Sequence, residues 1–99
     1  MKQTEILLTI KLHQELFIDP KRVRLLKEIK ECGSINQAAK NAKVSYKSAW
    51  DHLEAMNKIS PKPLLERNIG GKNGGGTSLT TYAERLLQLY DLLEQTQEH

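Results

Sequence analysis

Tyr46, Lys47, Ser48, Trp50, Asp51 and His52 crowd one short stretch of this chain, and each carries a group that can engage a nucleic acid. Aromatic rings stack on bases, while hydroxyl, carboxylate and imidazole groups reach base edges. A lysine pairs with phosphate. Lys47 stands in what would be the first turn of a helix, where a cation opposes the macrodipole. A phosphate bound there would turn that cost into a gain, because helix N-termini attract anions. The chemistry these residues suggest is recognition of DNA by a helix, against the alternative of a partly solvated core helix.

The stretch is built to be presented. Ser45 can cap the helix, and Pro61 and Pro63 end it. Ala49, Leu53, Met56 and Ile59 recur at helical spacing and form the stripe to be buried. Upstream, Ser34 and Gln37 make a capping box for a short helix whose inner face is Ile35, Ala38, Ala39 and Ala42. Residues Asn41 to Val44 are the turn between the two helices. Such turns often hold a glycine, and this one does not. Asn41 tolerates a left-handed backbone, whereas Lys43 there would be mildly strained.

An earlier helix begins at Asp19-Pro20, the cap and first position, and ends at Gly33. Its apolar side is Val23, Leu25, Leu26, Ile29 and Cys32. Its cationic side is Lys21, Arg22, Arg24, Lys27 and Lys30, placed for phosphate contact or simply for solvent. Before it, Ile6, Leu8, Ile10 and Leu12 alternate with Leu7, Thr9 and Lys11 as a half-buried strand would. Leu16-Phe17-Ile18 is expected to fold back on it as an N-terminal β-ribbon.

Beyond Pro63, Leu64 to Arg67 and Thr77 to Leu79 are strand candidates around a tract holding five of the six glycines. A phosphate-binding loop would need Ser or Thr after Gly71-Lys72, where Asn73 stands. The dinucleotide pattern started at Gly74 would need glycine at Leu79. Neither motif is met. A β-wing carrying Lys72 toward DNA fits better, with a plain flexible hairpin as the alternative. Thr80 or Thr81 caps a last helix, Thr81 with Glu84 making a second capping box. Its apolar surface, from Tyr82 to Leu93, is broader than one small core needs. Self-association through it is expected, with core packing alone as the alternative.

Ninety-nine residues suffice for one domain, and the net charge of +3 is unevenly placed. Residues 20 to 72 hold twelve basic and five acidic side chains, whereas Thr80 onward is net negative. A basic body suits a polyanion partner. Cys32 is the single cysteine, so no internal disulfide forms and a reducing compartment is expected. His13, His52 and His99 are scattered and lack a cysteine at metal spacing. No catalytic constellation is present, and neither enzyme activity nor a cofactor or metal is expected. Without an apolar run of membrane length or a signal peptide, the expected location is the cytoplasm.

Gly33-Ser34-Ile35, the run from Ser45 to Asp51, Glu66-Arg67, the Gly70 to Gly76 tract and Leu79-Thr80 together resemble the molybdate-responsive transcriptional regulators, the ModE family. More distantly they are similar to the winged helix of LysR-type regulators. The resemblance covers nearly the whole chain. It implies a mainly α winged helix-turn-helix with a small β component, binding operator DNA as a homodimer. Ser34, Ser45, Tyr46, Lys47, Trp50, Asp51, Arg67 and Lys72 are expected at DNA. Tyr82, Leu86, Leu89, Tyr90 and Leu93 are expected at the dimer interface. In that family oxyanion-binding domains follow the DNA-binding one. With residues 1–99 forming a single domain, this chain is expected to bind no molybdate itself, whether fragment or natural short relative. The competing readings are a nucleotide or anion binder using the glycine loop, and a winged helix that binds protein.

Overall fold

The computed structural model describes residues 10–12, 14–16, 19–68 and 76–97, and its regular structure is mostly helical with one two-stranded sheet. The first departure from expectation lies at the start. Residues 10–12 and 14–16 are helical, so the strand reading of Ile10, Leu12 and Leu16 is corrected. Leu12 and Leu16 stand four residues apart, on one helical face, and both meet the core, Leu16 with no exposure. Ile10, which the alternating pattern would bury, is exposed. Lys11, Gln14 and Glu15 favour helix over strand. The rest of the expected ribbon, residues 6–9 and 17–18, lies outside the described residues.

Helix α1 (Pro20–Cys32) starts where Asp19 accepts a 2.9 Å hydrogen bond from the Lys21 amide, with proline in the first turn. It ends at Gly33, left-handed at φ 70°, whose amide donates to the Ile29 carbonyl. Val23, Leu25, Leu26 and Ile29 are buried. Cys32 is exposed rather than packed inside. The helix ends there, with the core taken by the residues one turn earlier.

Helix α2 (Ile35–Asn41) is capped by Ser34, whose Oγ accepts from the Gln37 amide at 3.2 Å. The capping box is half made, since the Gln37 side chain donates instead to Asn41 Oδ1. Ile35, Ala38 and Ala39 are buried against α1. The small side chains of Ala38 and Ala39 let the next helix approach closely. The turn that follows puts Lys43, not Asn41, at positive φ (61°).

Helix α3 (Tyr46–Ile59) buries Ala49, Leu53 and Met56. The fourth expected stripe residue, Ile59, is 41% exposed, because it lies in the last turn as the chain leaves the core. Ser60 is extended ahead of Pro61, as a residue before proline must be. Asn57 Oδ1 then accepts from the Leu64 amide and seats Leu64 in the core.

Strands β1 (Leu65–Asn68) and β2 (Gly76–Leu79) pair antiparallel, Leu65 opposite Leu79 and Arg67 opposite Thr77. Residues 69–75, with Lys72, lie outside the described residues. Thr80 caps helix α4 (Thr81–Gln97): its Oγ1 accepts from the Ala83 amide and donates to the Pro63 carbonyl. The box expected between Thr81 and Glu84 gives way to this cap, and Glu84 faces Lys30 at 3.8 Å. Ala83, Leu86 and Leu87 close the core.

Candidate nucleic-acid interface

Helix α3 turns one side into the core and leaves its first turns outside. With Ala49 and Leu53 buried, helical geometry sends Lys47 and Asp51 outward, while Tyr46 lies on the side of the buried stripe but in the first turn, and all three are exposed. Tyr46 is 52% exposed, a large share for an aromatic ring. Ser48, Trp50 and His52 are half-buried at the margins. The Ser45 Oγ accepts from the Ser48 amide at 3.0 Å, so Ser45, like Ser34, orders a helix start. Among the described residues neither serine hydroxyl donates a hydrogen bond, so both protons are open to an outside acceptor.

Trp50 is the centre of a small cluster. It packs against the core on one side and meets the Tyr46 ring in a T-shaped contact, the centroids 6.2 Å apart and the planes inclined by 71°. The Arg67 guanidinium lies over the Trp50 ring, 5.2 Å from its centroid. Strand geometry explains this. Arg67 shares a face with Leu65, which points into the core, while Glu66 faces the other way. Helix and strand pair therefore meet through these two side chains.

His52 Nδ1 accepts from Arg22 Nε at 3.2 Å, which joins α3 to α1 and spends the group on structure. Arg24 bonds Glu28 and the Asn41 carbonyl, tying α1 to the end of α2. Glu28 also accepts from the Asn41 amide group at 2.9 Å. That bond, aided by Arg24 and opposed by burial, holds the Glu28 carboxyl below its ordinary range. Lys27 and Lys30 turn away from this surface to Asp91 and Glu84 on α4. The acidic last helix thus answers part of the basic first one.

The strand pair is fixed to the helical corner by backbone. The Thr77 amide donates to the Gly33 carbonyl at 2.9 Å. Gly76 approaches so closely that a β-carbon there would stand 2.7 Å from the Gly33 oxygen. Sequence reasoning found the glycine tract but not this contact, and it missed the exposed Lys40 and Lys43 beside the turn. The strained turn position was the available signal for Lys43.

Part of the expected dimer stripe also serves this chain's own core. Tyr82, Leu86 and Tyr90 succeed one another at four-residue spacing and pack on this chain's own core, Leu86 only 5% exposed. Tyr90 also lies under Lys27 and bonds Glu94, which pushes its phenol up to about 12. Leu89 is half-buried, and the side chain of Leu93 lies outside the described residues. Among the described side chains of α4 the leucine left in solvent is Leu92, 59% exposed.

A short helix packed across a longer one, with the second presenting polar and aromatic groups beside an antiparallel strand pair, defines a helix-turn-helix DNA-binding protein, and the arrangement is compatible with its winged form. Residues 20–84 match the bacterial regulatory helix-turn-helix proteins of the LysR family, and the chain belongs to that family. It is 91% identical over its whole length to 39% of the transcriptional regulator ModE of Haemophilus influenzae. It is 59% identical over 96 residues to the DNA-binding transcriptional dual regulator ModE of Escherichia coli K12, covering 97% of this chain and 37% of that one. The molybdenum transport protein ModE of Azotobacter vinelandii is 51% identical over 73 residues, 74% of this chain and 27% of the relative. The chain spans less than two fifths of the length of these relatives.

Proposed function

We propose that this chain is the DNA-binding part of a molybdate-responsive transcriptional regulator and acts without enzymatic chemistry or cofactor. The observation that carries the reading is the exposed start of α3, where Tyr46, Lys47 and Asp51 are all in solvent while Ala49, Leu53 and Met56 hold the helix to the core. In this reading α3 enters the major groove, Ser34 and Ser45 meet phosphates beside it, and the wing with Lys72 follows the backbone. The names of the relatives support the regulatory role and its link to molybdenum. Two copies would place two such helices on successive half-sites of an operator in the cytoplasm. Among the described residues, no helix is long and apolar enough to cross a membrane.

Titration with duplex DNA at two salt concentrations tests this. Affinity should fall steeply with salt, and Lys47→Ala should weaken binding across sequences while lowering the salt slope by about one. Salt-independent binding, or none to any duplex, would favour a protein-interaction module. The chain itself should bind no molybdate. The groove of about 280 Å³ between α1 and α4 sets Glu31, Glu84 and Asp91 against Lys27 and Lys30, a poor balance for an oxyanion. Stoichiometric molybdate binding in calorimetry would contradict this.

A further inference from the structure

Arg67 is held in an unusual state for an exposed arginine. Among the described residues no carboxylate pairs with it, and its one partner is the Trp50 ring. The 5.2 Å separation is within the ~6 Å at which a cation feels a ring's face. Trp50 cannot easily move, since the core backs it and the Tyr46 ring flanks it. A guanidinium resting on a ring keeps its in-plane N–H fork for other acceptors. It has also lost rotamer freedom before any ligand arrives, which lowers the cost of binding.

We propose that Arg67 and Trp50 work as one DNA-reading unit, in which Trp50 is a positioning residue. Its ring holds the Arg67 fork for a bidentate pair of DNA acceptors, either two phosphate oxygens or guanine O6 and N7, and does not itself stack on a base. This rests on the DNA-binding reading above and goes beyond it, because it gives the half-buried Trp50 an indirect role and couples the strand pair to α3.

The test uses the 99-residue chain and two probes, a duplex enriched from a randomised pool by the unmodified protein and a scrambled duplex. Arg67→Ala and Arg67→Lys should each weaken the enriched duplex roughly tenfold or more, since lysine keeps the charge but not the fork. Trp50→Leu should cost about as much, Trp50→Phe much less, and the Arg67→Ala/Trp50→Leu double variant no more than Arg67→Ala alone. A loss shared by both probes with a salt slope lower by about one assigns phosphate. A loss reproduced by 7-deazaguanine at one position of the enriched duplex assigns the guanine edge. Trp50 is the single tryptophan, so Arg67→Ala should also shift its emission in the free protein with helicity unchanged. This arm does not depend on Trp50→Leu folding. Additive losses, unchanged emission, or full affinity in Arg67→Ala would overturn the unit while leaving DNA binding intact. Failure of the unmodified chain to bind any duplex would overturn the DNA-binding reading and the unit with it.

Discussion

Gly76 stands against the backbone of Gly33, so close that any side chain would strike the Gly33 carbonyl oxygen at 2.7 Å. The obstacle is main chain at a helix cap, which cannot swing aside as a side-chain tip would. Gly76→Ala should therefore destabilise the protein by about 1–3 kcal/mol, as overpacking does. Gly33→Ala has ordinary room, its nearest new contact being 3.8 Å away, and should lose only about 1–2 kcal/mol for a left-handed alanine. Urea denaturation of both variants checks the two figures. Gly76→Ala should in addition tilt the strand pair and weaken DNA binding beyond its effect on stability.

Lys43 sits at φ 61° without the freedom of glycine. Lys43→Gly should raise stability by about 0.5–1 kcal/mol, the relief of strain exceeding the entropy glycine adds to the unfolded chain. The urea midpoint is the measurement. A lower midpoint would mean that the lysine side chain contributes more to the turn than its backbone costs.

Glu28 gives the protein an acid-sensitive joint between α1 and α2. The bond from Asn41, and then that from Arg24, depress its folded pKa below the unfolded value. A depressed carboxyl contributes stability above the unfolded pKa, and that contribution is lost as pH falls through the folded one. Glu28→Gln should flatten this part of the acid limb, below the ordinary carboxylate range, in denaturation midpoints followed against pH. An unchanged acid limb would place the sensitivity elsewhere.

Leu92 in solvent and Leu89 beside it leave an apolar patch at the outer end of α4. If two copies join there, Leu89→Lys with Leu92→Lys should yield a folded monomer with much weaker operator binding. Sedimentation equilibrium on the unmodified chain is the direct check. A monomer at concentrations that saturate DNA would end the dimer proposal.

Helix ends were the most legible part of the chain. Asp19-Pro20, Ser34, Ser45 and Gly33 each behave as their chemistry requires, because caps are decided within a few residues. The strand pair was legible to within a residue from its flanking glycines and prolines. The N-terminal stretch was not, since Ile10, Leu12 and Leu16 satisfy two periods in part and only the core decides between them. The interface was half legible. Exposure of Lys47 and Asp51 follows from the buried stripe, but that of Tyr46 depends on where the core ends, and the meeting of Arg67 and Trp50 needs the tertiary register of a strand on a helix. The share that Tyr82, Leu86 and Tyr90 have in this chain's own core was not legible either, because it depends on how the last helix lies on the others.

The pairing of Lys27 and Lys30 with Asp91 and Glu84 has a kinetic consequence. It cancels charge along the side where α1 meets α4 and leaves Lys40, Lys43, Lys47 and Arg67 without ion pairs among the described residues. The side where α1 meets α4 then adds little to the outward field, and these four cations raise it about the start of α3. A diffusing copy would be turned by a polyanion before touching it, so that more of its collisions begin with α3 foremost. Association would slow sharply as salt rises, while the lifetime of the formed complex, set by short-range contacts, would change far less.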